Sequence, residues 1–189
     1  MTDPRYDASQ IQVLAFDAAV RRWPGMYFGA GPDDPRLPTR VLGRVVGWAL
    51  HPDSPVVAEI HGDLAFSVRD DACEALDEDG MPRLGYLDSL IGPDRWCGAA
   101  AAALSTRTVV EVRRDGRGVR QELAGVRPLG APEAFVPPAG RGTRMRCALD
   151  AAALAPGAAI VADPAAPDLY GPWCEELDGT GRLLLRDLR

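Results

Sequence analysis

Two residues of a predicted helix have the side chains needed to hold a flat, anionic molecule. Arg44 and Trp48 are four residues apart, a spacing that places both side chains on one face of a helix. An indole is a stacking surface for a planar ring, and a guanidinium is a partner for an anion. Neither side chain accepts a proton at neutral pH or offers an oxygen to a metal ion. The pair is therefore compatible with binding and cannot supply acid–base or metal chemistry.

Acidic residues form a second group of candidates. Asp70 and Asp71 precede the run Glu74-Ala-Leu-Asp-Glu-Asp at 74–79. Carboxylates at this density are typical ligands of hard divalent cations. A run of like charges is more often a solvated segment, however, and we interpret this one as a solvated acidic loop rather than a metal site.

Histidines and cysteines add no clear site. His51 follows the predicted second helix and His61 lies in a predicted hairpin turn, so both are interpreted as solvated loop residues rather than catalysts. The cysteines are widely scattered, without CxxC spacing, at Cys73, Cys97, Cys147 and Cys174. This pattern predicts buried free thiols rather than a zinc site or a disulfide framework.

Composition indicates one compact domain. The chain has 189 residues, of which 47% are hydrophobic, and this is enough to bury a sizeable core. All 21 of its cationic side chains are arginine and its net charge is −6, which argues against direct binding of nucleic acid. The sequence has no apolar run long enough for a membrane span and no signal-peptide pattern at its start, so we expect a cytoplasmic protein.

Two helices are predicted in the first third of the chain. A capping box formed by Asp7 and Gln10 opens the first helix, whose apolar residues recur at helical spacing until Pro24 stops it. A broad apolar stripe over 41–50 predicts the second helix, which carries Arg44 and Trp48 and ends before Pro52.

Strands and two further helices follow. One hairpin is predicted over 56–60 and 65–69, and another pairs the strands TVVEVRRD and VRQEL around the turn Asp115-Gly116. Single strands are predicted at 143–147 and 182–186, and helices at 97–104 and 170–177. This order predicts an α+β fold, a two-layer α/β sandwich whose mixed, mainly antiparallel sheet is covered by helices on one face.

Six segments carry a resemblance to a known family. In chain order they read YDASQIQVLAFDAAVRRWPGMYFG, IHGDLAFSVRDD, ALSTRTVVEVRRDG, VRQEL, GRGTRMRC and DGTGRLLLRDLR. Together they resemble the N-terminal ATPase subdomain of DNA gyrase B and topoisomerase IV, in the GHKL superfamily. The resemblance implies the Bergerat fold over a single domain, residues 1–189, with the transducer and DNA-binding domains of the family absent.

The same resemblance implies that ATP hydrolysis has been lost. Arg44 stands where the family has the glutamate that activates water, and Trp48 where it has the asparagine that binds magnesium. Gly47 replaces a neighbouring aspartate, and the glycine-rich phosphate lid is reduced to IGPDRWCGAAAAALS. We therefore expect a pseudo-ATPase that binds no magnesium.

The base end of the family's pocket is retained in part. Asp70 and Thr143 match the aspartate and threonine that hold adenine, and Arg120 matches an arginine used by competitive inhibitors at the pocket mouth. Glu74 stands where a glycine-rich turn lets the base approach. Added to the helix pair described above, these matches predict one ligand-binding set: Arg44, Trp48, Asp70, Arg120 and Thr143. In the alternative interpretation Trp48 fills the vacated cavity, and no small molecule binds.

Three functions are compatible with this sequence. The first is a catalytically degenerate domain that acts by binding a planar small molecule, a protein partner or both, with no cofactor. The second is a non-ATPase enzyme of specialised metabolism that uses Asp70 or Glu74 as acid or base. The third is a protein with weak, magnesium-independent ATP binding. Tyr6 and Ile11 match the arm that crosses to the partner protomer in gyrase dimers, which is compatible with self-association.

Overall fold

A computed structural model describes residues 14–50, 55–162 and 183–189. Four α-helices lie in these ranges: α1 (Phe16–Arg22), α2 (Pro24–Phe28), α3 (Leu37–Leu50) and α4 (Trp96–Ala103). Helix α3 confirms the predicted second helix and begins four residues earlier than its apolar stripe. Helix α4 confirms the alanine-rich helix.

Within the described residues, the first predicted helix begins later than expected and ends where expected. Helix α1 starts at Phe16, and the predicted capping box at Asp7 and Gln10 lies outside the described residues. The helix ends at Arg22, as the Pro-Gly pair predicts. Pro24 then begins the five-residue helix α2, because proline is well tolerated at the first position of a helix, where its missing N–H has no partner to lose.

Eight strands form one mixed sheet in the described part of the chain. They are β1 (Val56–Gly62), β2 (Ala65–Asp70), β3 (Ser105–Arg114), β4 (Arg117–Ala124), β5 (Arg127–Pro128), β6 (Glu133–Phe135), β7 (Gly142–Leu149) and β8 (Leu183–Asp187). The order is β5-β4-β3-β7-β2-β1-β8, and β6 also pairs with β4. Strands β1 and β8 are parallel, and the other described pairings are antiparallel. The predicted α+β class is confirmed.

Local turn chemistry accounts for the β3–β4 hairpin. Asp115 and Gly116 both have positive φ, at 51° and 78°, which is the backbone of the two-residue turn that matches strand twist. The strands pair in register from Thr108 opposite Leu123 to the turn. The predicted strands at 143–147 and 182–186 are confirmed as β7 and β8. The helix predicted at 170–177 lies outside the described residues.

Strand alternation divides the sheet into two faces. Asp70 pairs with Thr143, Thr143 with Val112, and Val112 with Val119, and all four are buried. Because residues directly opposite each other point to the same side, these four mark the core face. Helices α3 and α4 pack against this face, α3 on β1 and β2 and α4 on β3 and β7, and they contact each other. The opposite side is called the outer face below.

Most buried apolar residues of the described chain form one cluster between the helices and the core face. Phe66 of β2 and Leu104, which follows α4, belong to this cluster and are fully buried. In the ranges that the structure describes, no helix is both long and apolar enough to cross a membrane.

Candidate functional site

The two residues predicted to hold the adenine base, Asp70 and Thr143, lie where the pairing of β2 with β7 ends. Asp70 ends β2 and Thr143 is the second residue of β7, so the register places them side by side on the core face. Their exposed fractions are 2% and 3%. A carboxylate buried to this extent requires a partner, because an uncompensated charge in the interior is strongly unfavourable.

Arg95 is that partner. Its Nη1 donates to Oδ2 of Asp70 at 2.8 Å and its Nη2 to Oδ1 at 2.9 Å, which is the two-pronged geometry of a strong arginine–carboxylate pair. The same Nη2 lies 3.4 Å from Glu74. Oδ1 of Asp70 also accepts a hydrogen bond from the backbone N–H of Ala72. Both oxygens of Asp70 are therefore engaged by the protein itself.

The charge on Arg95 is stabilised by this arrangement. Burial alone lowers the pKa of Arg95, but hydrogen bonds and charge from Asp70, aided by Glu74, outweigh burial and raise the pKa above its ordinary value. Both oxygens of Asp70 accept hydrogen bonds from Arg95, so neither is left open to a substrate. The geometry does not favour the alternative of an acid–base enzyme that uses Asp70.

Sequence reasoning did not identify Arg95. The residue immediately precedes helix α4, in the segment that matches the reduced lid. A buried Asp70 calls for a cation, but nothing in the sequence indicates which of the 21 arginines supplies it. Arg95 pairs with Asp70 because the N-terminus of α4 lies over the end of β2.

Thr143 is also engaged within the chain. Its hydroxyl donates to the backbone carbonyl of Ala72 at 2.6 Å. The segment after β2 is thus tied to both Asp70 and Thr143, to Asp70 through the N–H of Ala72 and to Thr143 through the carbonyl of Ala72. This segment occupies the position of the glycine-rich turn that the resemblance implies.

Arg44 and Trp48 face helix α4 from helix α3. The Trp48 ring meets the Trp96 ring edge to face, with centroids 6.3 Å apart and an interplanar angle of 69°. The positive charge of Arg44 is close enough to the Cys97 thiol to affect its pKa. Trp96, which the sequence patterns did not single out, links this pair to Arg95 because it is the next residue in the chain.

Arg120 lies on the other side of the sheet. It pairs with Glu111 across β3 and β4, between the core-facing residues Val119 and Gln121. The structure thus brings Asp70, Thr143 and Arg95 together on the core face and leaves Arg120 on the outer face.

His61 is a strand residue, so the prediction of a solvated loop histidine was wrong. Strand β1 continues through His61 and Gly62, and its register against β2 shifts at this point. The ring Nε2 lies 3.0 Å from the hydroxyl of Ser67. Burial lowers the pKa of His61, and the charges of Arg146 and Arg144 lower it further. The charge of Glu59 raises the pKa but does not outweigh these effects. His61 is therefore neutral at physiological pH. His51 lies outside the described residues.

Arginines hold the acidic loop in place. Arg114 donates to the carbonyl of Asp77, Arg117 to that of Asp79 and Arg141 to that of Asp71. The carboxylates at 77–79 are exposed, as expected for a solvated loop. Among the described residues, no three His, Cys, Asp or Glu side chains converge as a metal site would require.

The described cysteines are buried and free, as predicted for Cys73, Cys97 and Cys147, whereas Cys174 lies outside the described residues. Burial raises the pKa of Cys97 to about 12, against a smaller opposing effect of Arg44. Burial likewise raises the pKa of Cys147 to about 12, against a smaller opposing effect of the neighbouring Ser105 and Thr108 hydroxyls.

We expect Cys97 and Cys147 to resist alkylation in the folded protein. At roughly pH 8 each carries about a thousandfold less thiolate than an unperturbed cysteine, and the thiolate is the reactive form. Iodoacetamide labelling followed by peptide mass spectrometry checks this, with the guanidinium-unfolded chain as the control. Labelling of either residue as fast in the folded as in the unfolded chain would contradict the prediction.

Comparisons with known proteins give no family assignment. A scan against models of protein families finds no match, and a search of curated proteins finds none either.

Proposed function

We propose that this chain is a catalytically degenerate, gyrase-B-like domain of the GHKL type that does not hydrolyse ATP and acts by binding a planar small molecule or a protein partner. The α+β architecture, with its mixed sheet and helices packed on the core face, is compatible with such a sandwich. The motif resemblance supports the ancestry, and the contacts of the site support the loss of ATP chemistry.

The observation that carries the proposal is the pairing of Asp70 with Arg95. In the family this aspartate accepts a hydrogen bond from the adenine amino group. Here both of its oxygens accept from Arg95, and one also accepts from Ala72. Adenine would have to displace a buried guanidinium whose side chain is only 15% exposed, and it would leave Arg95 without its main acceptor.

Helix α3 supports the same conclusion. Arg44 and Trp48 give the site no carboxylate to activate water and no oxygen for magnesium. The paired indoles of Trp48 and Trp96 offer flat apolar surface instead. Aromatic surface next to guanidinium groups suits a planar ligand better than it suits a triphosphate with its metal ion.

We expect no magnesium-dependent ATP turnover by the wild-type chain and no calorimetric heat with ADP. The Arg44→Glu/Trp48→Asn variant restores the family's catalytic residue types. The same result is expected for it, because Arg95 still donates to both oxygens of Asp70. A coupled phosphate-release assay and titration calorimetry, each with and without magnesium, make the measurements. Turnover by the wild-type chain would refute the proposal, and magnesium-independent heat with ATP would favour the residual ATP-binding alternative.

The small-molecule version is tested separately from hydrolysis. Titration with an aminocoumarin-type inhibitor examines whether a planar ligand binds on the core face near Trp48 and Asp70. Quenching of Trp48 and Trp96 fluorescence is the expected signal, and the Trp48→Leu variant is the control. If no planar ligand produces heat or quenching, the protein-partner version is retained.

A further inference from the structure

We propose that the outer face of the sheet carries a second binding site, for an organic anion with a flat apolar body and a carboxylate or phosphate group. The site is a groove of about 450 Å³ across strands β2, β7, β3 and β4, a volume typical of small-molecule pockets. It lies on the side of the sheet opposite Asp70. The proposal therefore stands whether or not a ligand binds on the core face.

Positive charge concentrates in this groove. Four arginines but a single glutamate line it, Arg107, Arg120, Arg144 and Arg146 with Glu111, although the chain as a whole carries a net charge of −6. His61 adds no positive charge, since it is neutral at physiological pH. A concave surface with one sign of charge raises the local concentration of ions of the opposite sign.

Two of the arginines are already paired. Arg107 forms a two-pronged pair with Glu122, and Arg144 donates to Glu59 at 3.1 Å. These contacts hold both side chains in place at the side of the groove. They also mean that an incoming anion would have to compete for them.

The other two arginines have hydrogen-bonding capacity to spare. Arg120 approaches Glu111 only to 4.0 Å. Arg146 makes no ion pair and no hydrogen bond within the part of the chain that the structure describes. A guanidinium carries five N–H donors in a planar fork that matches a carboxylate or a phosphate. Arg120 and Arg146 are therefore the anion-binding residues of the groove.

Strand geometry lets Arg120 and Arg146 reach one ligand. Arg120 lies opposite Glu111 and Arg146 opposite Val109, on the two neighbours of β3. Two strand spacings and a two-residue offset put their Cα atoms roughly 12 Å apart. Each arginine side chain spans about half that distance, so their guanidiniums can bracket a molecule of two fused rings.

The floor of the groove is apolar beside Arg146, whereas Glu111 lies on β3 directly opposite Arg120. Val109 from β3, Ala148 from β7 and Ala65 from β2 point to the outer face and line the groove. Small apolar side chains between charged ones leave room for a flat ring, over which a guanidinium can stack. An inorganic anion alone would make no use of this floor, which is why we infer an organic one.

One pair of arginines on the outer face is unfavourable for the stability of the sheet. Arg69 and Arg144 are direct partners across β2 and β7, and like charges directly opposite each other destabilise a sheet. Glu59 compensates Arg144.

Three matched probes test the site: naphthalene-2-carboxylate, 2-naphthyl phosphate and the neutral 2-naphthamide, titrated into the full chain and followed by methyl NMR. We expect saturable shifts at Val109 and Ala148 with one or both anions. The affinity for the neutral amide should be at least about tenfold weaker. The anion with the higher affinity identifies the preferred head group. No saturable shift with either anion up to about 10 mM would overturn the proposal.

Arginine variants decide whether the groove is responsible. In the Arg120→Ala/Arg146→Ala variant, anion affinity should fall about tenfold or more. The control is Arg69→Ala, which removes one positive charge from the same face outside the groove and should change affinity less than about twofold. Equal affinity of the amide, unchanged binding by the double variant, or shifts confined to core-face methyl groups such as those of Val112 would each overturn the assignment.

A macromolecular ligand is a separate outcome. A labelled hexaglutamate peptide and a single-stranded DNA oligonucleotide serve as further probes of the same variants. Tighter binding of either than of both naphthalene anions, lost in the double variant, would replace the small-molecule assignment with a docking surface. Far-UV circular dichroism of each variant verifies that the fold is retained.

Discussion

Replacing Arg95 with alanine is expected to lower the free energy of unfolding by about 3 to 5 kcal/mol, because it leaves the carboxylate of Asp70 buried without its cation. Asp70 is only 2% exposed, so water cannot take over the role of the guanidinium. Glu74, the other acceptor of Arg95, loses little, since its carboxylate is 45% exposed. Urea unfolding followed by circular dichroism measures the change.

Two further variants separate this buried pair from a general effect of losing an arginine. Arg21→Ala removes the partner of Asp150, at 2.7 Å, from a site where the arginine is 38% exposed, and the expected loss is below about 1 kcal/mol. Arg95→Met combined with Asp70→Leu removes both charges and should recover much of the stability lost by Arg95→Ala. Equal losses for Arg95→Ala and Arg21→Ala would show that the Asp70 pair has no special structural role.

Gly142→Ala is the second change with a large expected effect, a loss of about 3 kcal/mol. Gly142 has a φ of 130°, where a side chain is strained, and a Cβ there would overlap the backbone carbonyl of Asp70. Relief requires β7 to move away from β2 at the pair formed by Asp70 and Thr143. The substitution should therefore disturb the site as well as the fold.

Gly140→Ala is the matched control for this prediction. Gly140 also has a positive φ, 102°, but a Cβ at that position meets no atom within 4 Å. Its expected loss is only the backbone strain, about 1 to 2 kcal/mol. The difference between the two variants, read from chemical unfolding, isolates the close approach of β7 to β2. If the two losses were the same, steric overlap with Asp70 would not contribute.

Residues near one another in sequence were predicted well because the controlling physics is local. The Asp115-Gly116 turn and the alternating strands around it depend on backbone conformations that those residues adopt by themselves. The alanine-rich helix α4 likewise follows from intrinsic propensity. The error at His61 is also local, since the strand runs two residues into the expected turn and includes a register shift.

Arg120 shows how pattern and resemblance can disagree. In Val119-Arg120-Gln121, period-2 alternation alone puts Arg120 on the face opposite Val119. The resemblance placed the same residue at the mouth of the pocket that contains Asp70. In the structure Val119 shares the register line of Asp70, and Arg120 points to the outer face. Alternation was the better guide to position.

The sequence by itself determined the α+β class, most of the strands, the two longer helices and, at Arg44 and Trp48, side chains that can neither act as a general base nor bind magnesium. Tertiary structure alone decided that Arg95 pairs with Asp70, 25 positions away, and that arginines from three strands, β3, β4 and β7, converge on one groove. Local propensities act over a few residues, whereas these contacts depend on how a helix end and distant strands pack. The resemblance indicated that Asp70 would accept a hydrogen bond from a ligand, and the packing determined that it accepts from Arg95 instead.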